Sequence, residues 1–213
     1  MIEAVLWDFG GVLTTSPFEA FNRYEVQRQL PSDFIRSINA TNPETNAWAQ
    51  FESSQIDLDE FDTAFAEESA AAGHLIGGRD VVALLSGELR PRMVNVLSLC
   101  KQHFKVACIT NNIKSGIGPG MANGNAKAEA IHDVMEIFDL VVESSVEGIR
   151  KPNPQIYALT CERLGITPDA MVFLDDLGIN LKPVRALGMH TIKVLNETQA
   201  IGELAEATGL AFP

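Results

Sequence analysis

Residues 4–13 read AVLWDFGGVL, an apolar run that carries one aspartate, Asp8, close to a pair of glycines. Continuous hydrophobicity over residues 4–9 indicates a short strand that is buried on both faces. Four similar runs follow along the chain, FKVACIT at 104–110, FDLVVES at 138–144, AMVFLD at 170–175 and HTIKVL at 190–195. Helical patterns occur at 92–102, 154–165, 181–188 and 200–209. Strands that alternate with helices predict an α/β fold, a Rossmann-like doubly wound parallel sheet.

The first two predicted strands are separated by far more residues than a single crossover helix needs. This gap predicts an inserted domain, and its content is helical, at 16–30, 32–38, 47–55, 57–73 and 79–85. We expect a core domain of residues 1–15 and 91–213 and a helical cap of residues 16–90. In the acidic stretch DLDE, Asp57 and Glu60 have the spacing of a capping box, and the glycine that an EF-hand loop needs at its sixth position is absent.

Composition limits the possible partners of this chain. Its 28 acidic and 16 basic residues give a formal net charge of −12, which argues against nucleic acid and anionic membranes. A small phosphorylated molecule could still bind if a magnesium ion or a well-placed lysine met its charge. We therefore expect a small-molecule substrate, no nucleic acid and no membrane partner, with a monomer and a homodimer both open.

Cysteine content and hydropathy predict a cytoplasmic location. The three cysteines form no CxxC pair, and no apolar run approaches the roughly 18 residues that span a bilayer. The sequence shows no basic N-terminal region followed by a cleavable apolar segment. The glycine-rich stretch SGIGPGMANGN at 115–125 lacks the GxGxxG spacing, so it predicts a surface loop rather than a nucleotide cradle.

Polar residues stand at the ends of the predicted strands. Ligands of an open parallel sheet bind beyond the carboxyl ends of its strands, so these residues are expected to lie close together. They are Asp8 after the first strand, Thr110 and Asn111 after the second, Lys151 downstream of the third, and Asp175 and Asp176 after the fourth.

Three carboxylates that share one site require a positive partner, because like charges a few ångströms apart raise one another's pKa. Mg²⁺ accepts carboxylate, backbone carbonyl and substrate oxygens, and Lys151 adds a compact positive charge. This set suits phosphoryl transfer, in which Asp8 is our candidate nucleophile through an aspartyl-phosphate. The Thr110 hydroxyl and the Asn111 backbone amide are candidate ligands for the phosphoryl oxygens.

Each of these residues also has a simpler interpretation when taken alone. Asp8 could be a turn residue, Lys151 a solvated lysine before a proline, and Thr110 with Asn111 a strand-to-helix cap. Asp175 and Asp176 could cap a helix that begins near Gly178. The order of all four segments and their placement at strand ends favour a shared site.

Four segments resemble the motifs of the haloacid dehalogenase superfamily, in the order of that family. They are WDFGGVL at 7–13, CITNN at 108–112, RKPNPQIY at 150–157 and VFLDDLGINLKPVRALGMHTI at 172–192. The third and fourth are similar to those of the subgroup that contains the N-terminal phosphatase domain of soluble epoxide hydrolase. The resemblance implies a Rossmann-like core with a helical cap after the first strand, and a magnesium-dependent phosphatase.

The resemblance also implies roles for particular residues. Asp8 would be the nucleophile and a magnesium ligand, with the Gly10 carbonyl and the Asp176 carboxylate as further ligands. Lys151 would hold the nucleophile and the phosphoryl group together. Asp175 would act indirectly or through water, and Asn180 would support the metal loop.

Residue 10 departs from the family pattern. Phosphatases of the family carry an aspartate here, which protonates the leaving oxygen and then activates water. Gly10 can do neither, and general acid/base help is worth about 10² to 10⁴ in rate, or roughly 3 to 5.5 kcal/mol. A cap residue such as Glu52, or an acidic group of the substrate, could replace it.

Three functions remain open at this stage. The first is a magnesium-dependent phosphatase that hydrolyses aryl or acyl phosphates better than alkyl phosphates. The second is a haloacid dehalogenase, which uses an aspartate nucleophile without metal. The third is a weak or inactive protein that binds a phosphorylated ligand.

Overall fold

The computed structural model describes residues 1–113 and 125–213. Its sheet has five strands in the order β3-β2-β1-β4-β5, and every pairing is parallel. The strands are β1 (Ala4–Trp7), β2 (Lys105–Thr110), β3 (Leu140–Glu143), β4 (Met171–Asp175) and β5 (His190–Lys193). Their arrangement confirms the predicted α/β fold.

Helices occupy most of the remaining described chain. Between β1 and β2 these are α1 (Pro17–Gln27), α2 (Phe34–Ala40), α3 (Ala47–Glu52), α4 (Leu58–Ala71), α5 (Gly78–Ala83) and α6 (Pro91–Lys101). After β2 they are α7 (Asn125–Met135), α8 (Ser144–Glu147), α9 (Pro154–Leu164), α10 (Gly178–Ala186) and α11 (Glu197–Thr208), with a 3₁₀ turn at Pro168–Ala170.

Both faces of the sheet are covered, which explains the unbroken hydrophobicity of its strands. Successive side chains of a strand point to opposite faces. Trp7 accordingly packs in a cluster with Leu97 of α6 and Leu204 of α11, whereas Leu6 packs in a second cluster with Tyr157 of α9. The central strand β1 is therefore buried on either side, and its carboxyl end opens at one edge of the core.

Several element boundaries differ from those predicted. Strand β1 ends at Trp7, so Asp8 belongs to the following turn. Helix α7 was not predicted, whereas α10 begins at Gly178, where a helix start was considered. Helix α11 begins at Glu197 instead of residue 200, because the Asn196 side chain caps it by accepting a hydrogen bond from Gln199 N at 2.9 Å. Of the stretch predicted to form a surface loop, residues 115–124 lie outside the described residues.

The five helices between residues 17 and 83 share a hydrophobic cluster of their own. Its centre is a group of aromatic rings, with Phe51 stacked on Phe61 at 4.3 Å and Phe65 beside Phe61. The capping box is confirmed, since Asp57 Oδ1 accepts from the Glu60 N–H and Glu60 Oε2 accepts from the Asp57 N–H, both at 2.9 Å. The domain division at residues 16 and 90 stays a prediction.

Two paired linkers join these helices to the rest of the chain. Thr14 and Leu89 form an antiparallel bridge, and the Arg90 N–H donates to Leu13 O at 2.8 Å. A Cβ atom on Gly87 would lie 2.4 Å from Thr15 O, so the close approach of the linkers requires glycine there. Across the described residues, no helix combines the length and the apolar composition that a membrane span requires.

Candidate active site

Asp8 and Lys151 form an ion pair beyond the carboxyl end of β1. Lys151 Nζ lies 2.7 Å from Asp8 Oδ1, and the same carboxylate oxygen accepts a hydrogen bond from Phe9 N at 2.7 Å. Lys151 is only 1 % exposed, so it is not a solvated lysine. Its ammonium group reaches the turn after β1 although it lies eight residues beyond the end of β3 in the sequence.

Asp175 is the last residue of β4, and Asp176 follows it. Lys151 Nζ donates to Asp175 Oδ2 at 2.9 Å, so one ammonium group joins the first and fourth strand ends. One carboxylate oxygen from each of Asp8, Asp175 and Asp176 lies within 4.8 Å of the others. The three carboxyl groups therefore converge, as the strand-end argument predicts.

The carboxylate of Asp175 is fixed by several donors. Asn180 Nδ2 lies 3.1 and 3.0 Å from its two oxygens, and the Leu177 N–H donates to Oδ1 at 2.8 Å. Tyr157 Oη in turn donates to the Asn180 carbonyl at 2.9 Å. Asp175 thus holds the loop before α10 in place while it also pairs with Lys151.

Asn111 contacts Lys151 in a way that the sequence did not indicate. Its side-chain amide pairs with the main chain of Lys151, with Oδ1 accepting from Lys151 N at 2.8 Å and Nδ2 donating to Lys151 O at 3.0 Å. This double hydrogen bond positions the lysine backbone. Thr110 is the last residue of β2 and is buried at the same edge.

The two glycines after Asp8 have different surroundings. Gly11 has a φ of +78°, and a Cβ atom on it would lie 2.2 Å from Asp176 Oδ2. A Cβ atom on Gly10 would meet nothing within 4 Å. Gly11 therefore allows Asp176 to approach the turn, whereas the space beside Gly10 is open to a side chain or a substrate atom.

Burial and mutual repulsion shift the pKa values of this cluster, in which three carboxyl groups face the ammonium group of Lys151. Burial, with the neighbouring charges of Asp175 and Asp176, raises the pKa of Asp8 well above its usual range, although Lys151 opposes the shift. Burial and the charge of Asp175 raise the pKa of Asp176 to about 6. Burial acts to lower the pKa of Lys151, but the charges of Asp175 and Asp8 outweigh it and raise the value.

A divalent cation fits this group of side chains. Buried carboxylates that raise one another's pKa are stabilised by an added positive charge, and oxygen ligands are those that magnesium prefers. The distances among Asp8, Asp175 and Asp176 allow one ion to be held by the cluster.

Two residues of the 16–90 segment reach this edge of the sheet. The Ser16 hydroxyl caps α1 and lies 3.4 Å from Asp176 Oδ2. Glu52, the last residue of α3, is buried and pairs with Arg150, whose Nη1 lies 3.1 Å from Glu52 Oε2. Neither contact has a sequence signature, because each joins residues that are far apart along the chain.

Residues 2–188 match the sequence profile of the haloacid dehalogenase-like hydrolases. The chain belongs to this family of hydrolases. The resemblance found in its four motifs is thereby confirmed.

Curated relatives cover the chain to different extents. It is 34 % identical to acyl-CoA dehydrogenase family member 10 of Mus musculus over 99 % of this chain and 19 % of the relative. It is 30 % identical to bifunctional epoxide hydrolase 2 of the same species over 100 % and 40 %, which confirms the resemblance to that subgroup. The chain thus spans less than half of either protein. A sesquiterpene phosphatase of Aspergillus oryzae is 25 % identical over 97 % of both chains.

Solved structures share the fold at low sequence identity. An enzyme of the same family from Bacteroides thetaiotaomicron, in complex with magnesium and inorganic phosphate, has a TM-score of 0.57 at 20 % identity, over 90 % of this chain and 93 % of that one. The L-2-haloacid dehalogenase of Xanthobacter autotrophicus, with chloropropionic acid covalently bound, has a TM-score of 0.60 at 18 % identity, over 99 % and 85 %.

Proposed function

We propose that this protein is a magnesium-dependent phosphatase that acts on a small phosphorylated metabolite through an aspartyl-phosphate at Asp8. The observation that carries the proposal is the convergence of Asp8, Asp175 and Asp176 around the buried ammonium group of Lys151. The names of the Aspergillus relative and of the magnesium- and phosphate-bound structure support it.

Asp8, Lys151 and Thr110 carry out the proposed reaction. A carboxylate oxygen of Asp8 attacks phosphorus, the bond from phosphorus to the ester oxygen breaks, and the departing oxygen takes up a proton. Water then hydrolyses the acyl phosphate and regenerates Asp8. Lys151 Nζ, 2.7 Å from Asp8, orients the nucleophile and offsets phosphoryl charge, while the Thr110 hydroxyl and the Asn111 backbone amide bind phosphoryl oxygens.

Asp8, Asp176 and the Gly10 carbonyl are the magnesium ligands that we propose, with Asp175 and Asn180 supporting them indirectly. Bound magnesium would neutralise charge on the transferring group. The residue 16–90 segment serves as a cap that selects substrates. A cytoplasmic location and a monomeric or homodimeric state stay predictions.

A phosphoester panel with magnesium tests the proposal. Asp8→Asn keeps the size of the side chain but removes the nucleophile, so phosphate release should fall by about 10³-fold or more. Asp169→Asn is the matched control, because this exposed aspartate precedes β4 at the opposite end of the strand and should leave the rate unchanged. Equal rates for wild type and Asp8→Asn would contradict the proposal.

Assays of the same purified protein distinguish two other functions from the proposed phosphatase. The open glycine at position 10 is also compatible with a dehalogenase, which would release chloride from a 2-haloacid in the presence of a chelator. A binding protein would be stabilised by magnesium and phosphate but would release no phosphate from any ester.

A further inference from the structure

Two acidic side chains in α1–α5 are buried, and they differ in their hydrogen bonds. Glu25 accepts hydrogen bonds from the backbone N–H groups of Asp33 at 2.8 Å and Ile35 at 3.0 Å. Glu52 Oε2 has no hydrogen-bond partner among the described residues. Burying a carboxyl oxygen without a hydrogen bond costs free energy, and the charge of Arg150 is the main factor that opposes this cost.

Hydrogen bonds to the core hold Glu52 at the edge where the strands end. Ser144, which follows β3, donates from its hydroxyl to the Glu52 carbonyl at 3.0 Å. Ser54 Oγ donates to the Ser145 carbonyl at 3.1 Å. The C-terminal end of α3 is therefore fixed to the core at two points, the main chain of Glu52 and the side chain of Ser54.

The side chain of Glu52 faces the segment that supplies the lysine of the site. Arg150 Nη1 lies 3.1 Å from Glu52 Oε2, although the two are not aligned as a hydrogen bond. Arg150 directly precedes Lys151, whose ammonium group is 2.7 Å from Asp8. The Glu52 carboxyl group therefore lies beside Arg150, the neighbour in sequence of the lysine that pairs with Asp8.

Gly10 cannot donate the proton that the proposed reaction needs, and Glu52 is a buried acid held at the same edge of the core. A Cβ atom on Gly10 would meet nothing within 4 Å, so no described residue occupies the space beside Gly10. We propose that the Glu52 carboxyl group donates the proton that the leaving oxygen requires, as a cap residue replacing the acid that Gly10 cannot provide. This inference rests on the proposed phosphatase function.

The environment of Glu52 suits proton transfer. Burial raises the pKa of Glu52, and the Arg150 guanidinium, the Trp48 indole and the Lys151 ammonium act in the opposite direction. A carboxyl group whose pKa is shifted toward the working pH exchanges a proton more effectively than one with an ordinary value.

The proton balance of the proposed step is complete. As the Asp8 oxygen bonds to phosphorus and the ester P–O bond breaks, the Glu52 O–H bond breaks and its proton goes to the leaving oxygen, which departs as an alcohol. Water then attacks the phosphorus of the aspartyl-phosphate and gives a proton to the Glu52 carboxylate. The bond between phosphorus and the Asp8 oxygen breaks, phosphate leaves, and the Asp8 carboxylate and protonated Glu52 are restored.

Leaving-group dependence tests the inference. We would measure kcat/KM with magnesium for aryl phosphates of increasing leaving-group pKa and for an alkyl phosphate. Glu52→Gln should lower alkyl phosphate hydrolysis by about 10²-fold or more, but the best aryl leaving group by less than about threefold, because only poor leaving groups need the proton. Gly10→Asp in the Glu52→Gln background should restore alkyl phosphate hydrolysis.

Two further variants separate proton donation from a structural role. Arg150→Gln removes the same ion pair but leaves the acid, so it should retain alkyl phosphate hydrolysis that Glu52→Gln loses. Glu25→Gln, the other buried cap carboxyl, should lower the melting temperature without changing leaving-group dependence. If Glu52→Gln does not fold, the pH dependence of Arg150→Gln decides, because loss of the guanidinium raises the pKa of Glu52 and should move the alkaline limb of alkyl phosphate hydrolysis to higher pH. An alkaline limb that does not move would overturn the inference.

Equal losses for aryl and alkyl phosphates in both Glu52→Gln and Arg150→Gln would overturn the inference and identify the pair as a contact that holds the cap on the core. In that case the wild type would still release phosphate from aryl phosphates, and the proposed function would stand. If the wild type released no phosphate from aryl phosphates, the proposed function would be overturned, and the inference with it.

Discussion

At the scale of single residues, the two glycines that follow Asp8, the candidate nucleophile, differ in backbone conformation and in surroundings. Gly11 adopts a φ of +78°, which disfavours a side chain, and its missing Cβ leaves room for Asp176. Gly10 is outside the left-handed region and has open space where its Cβ would point. Gly11 thus allows Asp176 to approach the turn after Asp8, and Gly10 leaves space that we expect a substrate to use.

Gly11→Ala should remove magnesium-dependent activity while most of the fold is kept. Its Cβ would lie 2.2 Å from Asp176 Oδ2, so the carboxylate must move, and a displacement of about 1 Å in a reacting group costs about 10²-fold in rate. Steady-state phosphate release measures the loss. Gly10→Ala adds the same Cβ in open space and is the matched comparison; a loss as large as that of Gly11→Ala would refute the steric explanation.

The sequence was informative about the acidic residues of the site because strand ends converge in a parallel sheet. Asp8 and Asp175 each stand at the end of a strongly apolar run. Their proximity could therefore be predicted from their position at the carboxyl ends of parallel strands. The side chain of Asn111 could not be assigned, since it contacts the main chain of a residue 40 positions away. The contact between Glu52 and Arg150 was equally hidden, because it depends on how the inserted helices pack.

At the scale of secondary-structure elements, buried strands were predicted better than helix limits. A strand such as β4 is apolar on both faces, which gives a continuous signal. Helix α11 begins earlier than its apolar pattern, because a side-chain cap at Asn196 decides its first turn. Helix α7 follows a glycine-rich stretch, which obscured its start.

The edge strand β3 is fixed to β2 by a carboxylate that should stabilise the fold above acidic pH. Although burial acts in the opposite direction, hydrogen bonds from the Val106 N–H and from Lys105 and Lys101 lower the pKa of Asp139 to about 2. Because the folded pKa lies below the unfolded value of about 3.9, this stabilisation is present above about pH 4 and is lost as the pH falls toward 2.

Asp139→Asn should therefore lower the free energy of unfolding at pH 7 by about 1 to 2 kcal/mol, a figure reduced for the solvent exposure of the lysines. Urea denaturation at pH 7 and at decreasing pH measures it. The difference from wild type should shrink as the pH falls from about 4 to 2, and a difference that does not change with pH would show that charge is not the cause.

At the scale of the whole molecule, the site combines groups from both ends of the chain and from the inserted helices. Asp8 follows the central strand β1 and Asp175 ends β4, while the contacts of α3 with the core hold Glu52, the proton donor that we propose, near the same edge. The net charge of −12 makes the acidic cluster still harder to bury without a cation. Stability and metal binding are therefore expected to be linked.

Magnesium alone should raise the melting temperature of the wild type and not that of Asp176→Asn. At 100 times the dissociation constant, an ion that binds only the folded state stabilises it by about 2.7 kcal/mol, which corresponds to about 5 to 11 °C for a chain of this size.

Without magnesium, Asp176→Asn should melt above the wild type, because it removes one of three like charges within 4.8 Å. Differential scanning fluorimetry with magnesium and then with excess chelator measures both effects. An equal magnesium shift in the two proteins would place the ion elsewhere, and a lower melting temperature for metal-free Asp176→Asn would show that mutual repulsion does not destabilise the site.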